Sequence, residues 1–203
     1  MSSPLAPART RPVDVNALLA RLTARDPHTA RHSVAVARYA GDLAVALGAS
    51  DEERRLVHTA GLLHDVGKLI LPDSILRAGR GLSEDDWELV HRHPVAGAEL
   101  VAQVPGCGEI AEAIRHHHER IDGAGYPDGL IADEIPWMAR VISVADAYDA
   151  MTARGSYKRP RTMPDAVVEL RRVAGAQLDA RFVDVFIGRL VDPVVAPRRE
   201  LVL

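Results

Sequence analysis

The histidines of this chain are placed where they could bind metal ions. Adjacent residues of ligand type occur at His64-Asp65 and at His117-His118, and a third histidine-rich stretch spans residues 91–93. All nine histidines lie between His28 and His118. Neutral imidazoles and carboxylates are common ligands of divalent metal ions. Because two adjacent residues can chelate one ion or bridge two, the pattern predicts a site for more than one metal ion.

Further residues of ligand type lie on predicted helices. His28 and His32 are four residues apart, so their side chains face the same side of a helix. Asp146 follows an apolar stretch at residues 141–145, where an ionised carboxylate is costly unless it is paired with a cation. Both observations are compatible with the metal site that the adjacent pairs predict.

Each of these residues, taken alone, is more often a solvated or core residue than a metal ligand. An accidental origin would require two adjacent ligand pairs, Asp146 in its apolar stretch, and Lys68 three positions after Asp65, to occur together. The joint pattern therefore favours a metal centre. Three histidines are assigned no part in it: His58, His91 and His116.

The composition indicates a helical protein and gives no sign of a nucleic-acid partner. Of 203 residues, 47% are hydrophobic and only 4% are aromatic, and the abundance of Ala, Leu, Val and Arg favours helices over β-sheets. The net charge of -3, from 25 basic and 28 acidic residues, does not support DNA or RNA as a ligand. A single cysteine suits a reducing compartment, and neither a signal peptide nor a membrane span is visible. A soluble cytoplasmic protein is therefore expected.

Start and stop signals divide the chain into helices of one domain. Asp26-Pro27 is typical of a helix start, and Ser50 and Ser83 each precede acidic residues that favour a first helical turn. Glycines and prolines near residues 123–129 predict a loop. The domain is predicted to span residues 13–190, between flexible tails at residues 1–12 and 191–203. Helical segments are predicted over residues 13–25, 26–47, 50–67, 83–91, 95–101, 109–119, 136–152, 164–173 and 179–190.

Together these motifs resemble those of the HD-GYP domain, a helical branch of the HD metal-dependent phosphohydrolases. The resemblance covers about residues 26–190. An HDxGK sequence alone would fit any HD phosphohydrolase, whereas HHExxDGxGYP about 50 residues later is highly specific. The resemblance implies an all-α HD-domain bundle of about seven to eight helices with the GYP loop. The matching segments are HTARHS (28–33), LLHDVGK (62–68), LPD (71–73), RHP (92–94), HHERIDGAGYP (117–127) and VADAYDAM (144–151).

Members of this family hydrolyse cyclic di-GMP to linear pGpG and often on to GMP, and the resemblance implies the same reaction here. It implies two divalent metal ions, iron or manganese, bridged by Asp65 and holding a hydroxide that acts as the nucleophile. Lys68 is the second implied catalytic residue, placing a positive charge near the scissile phosphate; it could instead be only a basic residue at a helix C-terminus. The implied metal ligands are His32, His64, Asp65, His93, His117, His118 and Asp146.

The roles of four nearby residues stay open at this point. His28 could bind a third metal ion or pack at the start of its helix. Asp26 could contact the hydroxide, but a helix N-cap explains it without any chemistry. Tyr126 could stack on the substrate or pack within the loop, and Glu119 could orient a ligand histidine.

The segment after α-helical residues 136–152 departs from the family pattern. Relatives carry Asp-Arg-Pro-Tyr-Arg, whose basic residues grip the cyclic dinucleotide, whereas this chain has Gly155 at the first basic position and Lys158 at the second. Arg154 could compensate, so the implied substrate-binding residues are Arg154, Lys158 and Tyr126. Because glycine cannot hold a phosphate as arginine does, three functions stay open. They are a cyclic di-GMP phosphodiesterase, a hydrolase of another cyclic dinucleotide or phosphate ester, and a non-catalytic domain that binds a cyclic nucleotide.

The expected partner is a cyclic dinucleotide, without DNA, RNA or a membrane. Apolar faces on the first helix, residues 13–25, and on the last helix could form a homodimer contact or be buried in the core. A separate regulatory partner is a further alternative, since the roughly 25 residues before the matched segment are too few for a sensor domain.

Overall fold

The fold is helical throughout the part of the chain that the structure describes. The computed structural model describes residues 14–76, 81–153 and 159–191, and these form nine helices of eight or more residues and one of four. Within these ranges β-pairing is limited to two isolated bridges, so the predicted all-α class is confirmed. The helices are α1 (Val15–Arg25), α2 (Pro27–Ala46), α3 (Asp51–Leu63), α4 (Asp73–Leu76), α5 (Glu84–His91), α6 (His93–Ala102), α7 (Gly108–His116), α8 (Trp137–Thr152), α9 (Met163–Val173) and α10 (Ala180–Val191), with 3-10 helices at Val66–Ile70 and Ala132–Glu134.

Local signals in the sequence set the beginnings of three helices. The side chain of Asp26 caps α2 by accepting a hydrogen bond from the backbone N–H of His28 at 2.9 Å. Ser50 and Glu53 form a capping box at the start of α3, and Ser83 begins α5 in the same way. Such caps satisfy backbone N–H groups that have no partner within the helix. The predicted starts of α2, α3 and α5 are therefore confirmed, and Asp26 has its structural role.

The core lies where α2, α3 and α8 pack against one another. α2 and α3 approach closely at Gly61, where a Cβ atom would lie 2.8 Å from the Cα of Ala37. Leu18 of α1 and Phe186 of α10 join the same core, with side chains 1% and 2% exposed. The apolar faces of the first and last helices are therefore covered by the chain's own core.

Three helix boundaries next to ligand residues differ from the prediction. α7, expected to reach residue 119, ends at His116, so His117 and His118 lie beyond it. The helix expected over residues 50–67 ends at Leu63, so His64 and Asp65 lie beyond its last turn, before the 3-10 helix. α6 begins at His93, with Pro94 in its first turn, whereas residue 95 was expected. Side chains at helix ends point in directions that helical periodicity does not fix.

Some predicted features lie outside the described residues. These are the tail at residues 1–12, most of the tail at residues 191–203, and the segment with Arg154, Gly155 and Lys158. Val191 is described and ends α10. In the described ranges, every helix is too short or too polar to cross a membrane.

Candidate metal centre

Seven histidine and aspartate side chains converge at one place in the bundle. They form three overlapping groups, and within each group the ligand-type atoms all lie within 4.8 Å of one another. Asp65 is also close to the group formed by His93, His117 and His118, since its Oδ1 lies 3.3 Å from Nε2 of His93. The groups are His32, His64 and Asp146; His64, Asp65 and His117; and His93, His117 and His118. The structure thus brings together all seven residues that the sequence predicts as metal ligands.

Helix interiors and helix ends both contribute to this cluster. His32 lies within α2 and Asp146 within α8, in the middle of each helix. The adjacent pairs His64-Asp65 and His117-His118 each begin at a helix end. His64 is the C-cap of α3, and His117 is the C-cap of α7. His93 is the first residue of α6. Because five helices meet here, the geometry of the cluster depends on the packing of the whole bundle.

Three of the histidines are held in the same way. Nδ1 of His64, His93 and His117 lies 2.8, 2.6 and 2.6 Å from the carbonyl oxygen of the residue three positions earlier in the chain. A carbonyl oxygen can only accept, so each Nδ1 must carry a proton and donate it. In a neutral ring the lone pair is then on Nε2. The Nε2 atoms of His93 and His117 are buried and have no hydrogen-bond partner. This is the arrangement that a metal ion requires of imidazole ligands.

Burial favours the neutral form of His64, His117 and His118. It lowers the pKa of His117 well below the usual value, and the neighbouring His118 and His64 lower it further. Burial likewise lowers the pKa of His118 to about 4, against the attraction of Asp146. A ligand histidine must be unprotonated to bind a metal ion. His117 and His118 therefore fit divalent metal ions both in their donor atoms and in their protonation.

Asp65 is the centre of the contacts in the cluster. Its Oδ2 lies 2.6 Å from Nζ of Lys68 and 3.4 Å from Nε2 of His64. Burial alone would raise the pKa of Asp65, but the charge of Lys68 and the imidazoles of His64 and His93 hold it well below the usual value. The carboxylate is thus ionised. Its Oδ2 faces His64 and Lys68, and its Oδ1 faces His93.

His32 has a carboxylate on each ring nitrogen. Its Nε2 lies 2.9 Å from Asp146, and its Nδ1 lies 2.7 Å from Asp149. Burial would lower the pKa of His32, but the hydrogen bonds to these two carboxylates raise it to about 10. Asp149 is buried, with 6% exposure, and it orients His32 toward the cluster. The sequence analysis missed this role, although Asp149 lies three residues after Asp146 and therefore on the same face of α8.

A glycine explains how Asp65 and His93 come into contact. A Cβ atom on Gly67 would lie 1.9 Å from the carbonyl oxygen of His93 and 2.6 Å from the backbone nitrogen of Gly97. Any side chain would therefore separate the 3-10 helix from α6. The glycine of the HDxGK motif allows the two backbones to touch, and this contact places Asp65 beside His93.

The GYP loop is held by Glu119. Its carboxylate accepts hydrogen bonds from the backbone N–H groups of Asp128, Gly129 and Leu130 at 2.7, 3.1 and 3.1 Å. Glu119 was expected to orient a ligand histidine, but these hydrogen bonds direct its carboxylate to the loop. Gly125 completes the attachment, because a Cβ atom there would lie 2.4 Å from the backbone nitrogen of Arg120.

Replacing Glu119 with Ala is expected to destabilise the protein by about 3 kcal/mol, because three backbone N–H groups in a part-buried site lose a charged acceptor. Glu119→Gln keeps one amide oxygen and should lose roughly half as much. Urea denaturation of both variants measures the effect. A Glu119→Ala variant as stable as the wild type would show that this carboxylate does not hold the loop.

A second network joins the loop to α7. Arg115 donates two hydrogen bonds to Asp128, at 2.7 and 2.8 Å, and Nε2 of His116 lies 2.9 Å from the same carboxylate. His116, which the sequence analysis left without a role, therefore contacts the loop rather than the cluster. The hydrogen bonds from Arg115 lower the pKa of Asp128 to about 2, and those from His116 act in the same direction.

This network predicts a loss of stability in acid. The pKa of Asp128 is lower in the folded state than in the unfolded chain, so its contribution is complete above the unfolded value of 3.8 and disappears as the pH falls toward 2. Asp128→Asn should lower Tm at neutral pH, and the difference from wild type should shrink below about pH 4. Thermal melts of both proteins from neutral to acidic pH measure this. A difference in Tm that is constant with pH would contradict the assignment.

Two cavities lie beside the cluster and share His118 and Tyr126 in their walls. The first, of about 390 Å³, has Lys68 and Trp87 in its lining. The second, of about 340 Å³, contains Asp146. Ligand pockets usually have volumes of this order. Tyr126 thus stands between the two spaces next to a predicted metal ligand.

The remaining sequence candidates fall outside the cluster. His28 lines the first cavity together with Asp26 and belongs to none of the three ligand groups in the described ranges. Of the predicted substrate-binding residues, Tyr126 lines both cavities. Arg154 and Lys158 are outside the described residues.

The chain belongs to the HD domain family, because the family model described as "HD domain" matches residues 16–182. Its HDxGK and GYP motifs are similar to those of the HD-GYP branch of that family. It is 40% identical, over 79% of its length, to the cyclic di-GMP phosphodiesterase response regulator RpfG of Xanthomonas campestris. It is also 34% identical, over 88% of its length, to 3'3'-cGAMP-specific phosphodiesterase 2 of Vibrio cholerae.

Solved structures agree with the fold. An HDG"Y"P protein from Bdellovibrio bacteriovorus matches 88% of this chain and 58% of its own, with a TM-score of 0.65 and 24% identity. At this level of identity the likeness shows the fold alone. The chain spans 43% of the length of the Xanthomonas relative and 34% of the Vibrio relative.

Proposed function

We propose that this domain is a metal-dependent phosphodiesterase that hydrolyses a cyclic dinucleotide, with cyclic di-GMP as the first candidate and linear pGpG, or GMP, as product. The observation that carries the proposal is the convergence of seven ligand-type side chains next to a cavity that also contains Lys68. The names of the two curated relatives support the substrate class. The proposal concerns this domain and makes no claim about any further segment of those relatives.

We further propose two divalent ions at the cluster, iron or manganese, with Asp65 between them. Ions bound there would polarise the phosphodiester oxygens and make a water molecule nucleophilic at neutral pH. The proposed ligands are His32, His64, Asp65, His93, His117, His118 and Asp146. The placement of His28 in the cavity wall gives a third metal ion no support from the cluster geometry.

Residues of the chain itself have three proposed tasks. The carbonyl oxygens bound to Nδ1 of His64, His93 and His117 keep each Nε2 directed into the cluster. Lys68 holds Asp65 in position at 2.6 Å and has 27% of its side chain exposed, so its ammonium group can also face a phosphate in the cavity. Its pKa is raised, against the effect of burial, by the charge of Asp65. Lys68 therefore stays protonated and opposes the negative charge that builds on the phosphate.

The choice among cyclic dinucleotides is the second level of the proposal. The relatives at 40% and 34% identity are named for cyclic di-GMP and for 3'3'-cGAMP, and this chain has Gly155 where an arginine is usual in the family. We therefore keep a hydrolase of a mixed cyclic dinucleotide as the alternative substrate assignment.

The test is a substrate panel with metal analysis. Protein prepared without oxygen and loaded with Fe(II) or Mn(II) is incubated with cyclic di-GMP, 3'3'-cGAMP, cyclic di-AMP and a mononucleotide, and the products are separated by chromatography. We expect linear dinucleotide from cyclic di-GMP and about two metal ions per chain. Absence of any product with both metals would overturn the enzymatic proposal, and turnover of 3'3'-cGAMP alone would select the alternative substrate.

A further inference from the structure

Trp87 is an unusually exposed aromatic side chain beside the cluster. It is 49% exposed, although tryptophan is highly buried on average. It belongs to α5, a helix without a single buried residue, so the core does not explain its presence. It lines the 390 Å³ cavity that also contains Lys68 and the predicted ligands His93 and His118.

Two further rings, those of His91 and Tyr126, connect Trp87 with the predicted ligand His118. The ring centroids of Trp87 and His91, one helical turn apart on α5, are 6.0 Å apart. His91 lies 4.3 Å from Tyr126, and Tyr126 lies 5.0 Å from His118. Successive rings are tilted by only 32–42°. These residues form a row of ring contacts from Trp87 to His118, in which Trp87, Tyr126 and His118 line the cavity.

The charges in the cavity separate a place for phosphate from a place for a base. The ammonium group of Lys68 lies 2.6 Å from Asp65, at the cluster. α5 instead begins with Glu84, Asp85 and Asp86, which disfavour a phosphate at that end. The lining of the cavity also includes four apolar side chains, Ile75, Leu76, Leu82 and Val90. A flat, uncharged ring is the part of a nucleotide that suits this wall.

We propose that Trp87 is the stacking platform for one nucleobase of the cyclic dinucleotide, with the row of His91 and Tyr126 leading from it to the reacting phosphate. This inference rests on the proposed function, because it assumes that a cyclic dinucleotide enters the cavity. Stacking on an aromatic side chain tolerates any base, since every base has a π-face. Trp87 therefore contributes affinity for the dinucleotide class, without selecting guanine over adenine.

The kinetic test compares Trp87→Ala and Trp87→Phe with the wild type, each loaded with Mn(II). Trp87→Ala should raise KM for cyclic di-GMP by about 5- to 150-fold, the effect of losing one stacked base. It should leave kcat and the metal content unchanged, because Trp87 touches neither the reacting atoms nor a ligand. Trp87→Phe keeps a ring and should recover most of the affinity. Wild-type KM in Trp87→Ala would overturn the inference, while continued turnover would leave the proposed function intact.

Fluorescence supplies a second test that does not depend on how Trp87→Ala folds. The chain has two tryptophans, and Trp137 lines a different cavity with Leu47 and Phe182. In a Trp137→Phe variant, Trp87 is the single reporter. Rapid mixing with cyclic di-GMP should quench its emission before turnover, and inorganic phosphate should not. Emission that is unchanged by cyclic di-GMP in a protein that hydrolyses it would overturn the stacking, whereas absence of both turnover and quenching would overturn the proposed function as well.

Discussion

Replacing Asp65 with Asn should yield a folded protein whose turnover is lower by at least about 10³-fold and whose metal content is reduced. The amide has the shape of the carboxylate, but it carries no charge and is a poor ligand for a cation. Removal of a single group that stabilises transition-state charge commonly costs about 10²–10³ in kcat, and Asp65 additionally contacts both halves of the cluster. Metal analysis and product formation from cyclic di-GMP measure the two effects.

Asp133→Asn is a suitable control, since Asp133 pairs with Arg140 on the surface and its side chain is 95% exposed. It should retain normal turnover and metal content. Full activity of Asp65→Asn would remove the dinuclear proposal.

In cells, the Asp65→Asn variant separates a function that needs catalysis from signalling by nucleotide binding alone. A phenotype that survives the Asp65 substitution would favour the non-catalytic interpretation.

The second large effect is expected for Gly67→Ala. The added methyl group would lie 1.9 Å from the carbonyl oxygen of His93, and that atom is backbone, so the 3-10 helix and α6 must move apart. Overpacking of this kind commonly costs about 1–3 kcal/mol, and the clash with backbone places the expected loss at the upper end. The separation of Asp65 from His93 should also weaken metal binding by at least about tenfold. Chemical denaturation and metal titration measure the two losses.

Gly188 of α10 provides the matched control for the same substitution. A Cβ atom on Gly188 would meet no atom within 4 Å, so Gly188→Ala should stabilise the protein by about 0.5–1 kcal/mol through helix propensity alone. Opposite signs for the two glycines would support a specific backbone contact at Gly67. Equal effects would contradict it.

The sequence predicted the members of the cluster better than it predicted their geometry. The two adjacent pairs are a chemical signal that the sequence shows directly, whereas the full set of seven ligands was implied by the resemblance to the HD-GYP domain. The structure brings all seven side chains together. The boundary of α3 was wrong, because the apolar pattern continues past Leu63 while the contact of Gly67 with α6 requires a tighter turn. That requirement comes from a residue 26 positions away, His93, and no local propensity contains it.

Contacts between distant segments account for the rest of what the sequence did not reveal. Asp149 acts on His32, which is 117 residues earlier in the chain, and was therefore not recognised as an orienting residue. Glu119 has the residue type of a histidine partner, yet the GYP loop folds back and its backbone N–H groups donate hydrogen bonds to the carboxylate. His91 was assigned no role, because its ring contact with Tyr126, which is distant in the chain, could not be predicted from the sequence.

The anchoring of ligands at helix ends links cation binding to the rigidity of the chain. The predicted ligands extend from His32 to Asp146, so an occupied centre would cross-link segments that loops of many residues separate. Binding to the native state alone stabilises it by mass action. Amide hydrogen exchange at the ends of α3 and α7 should accordingly slow when metal is added, while exchange in the centre of α10 should change little.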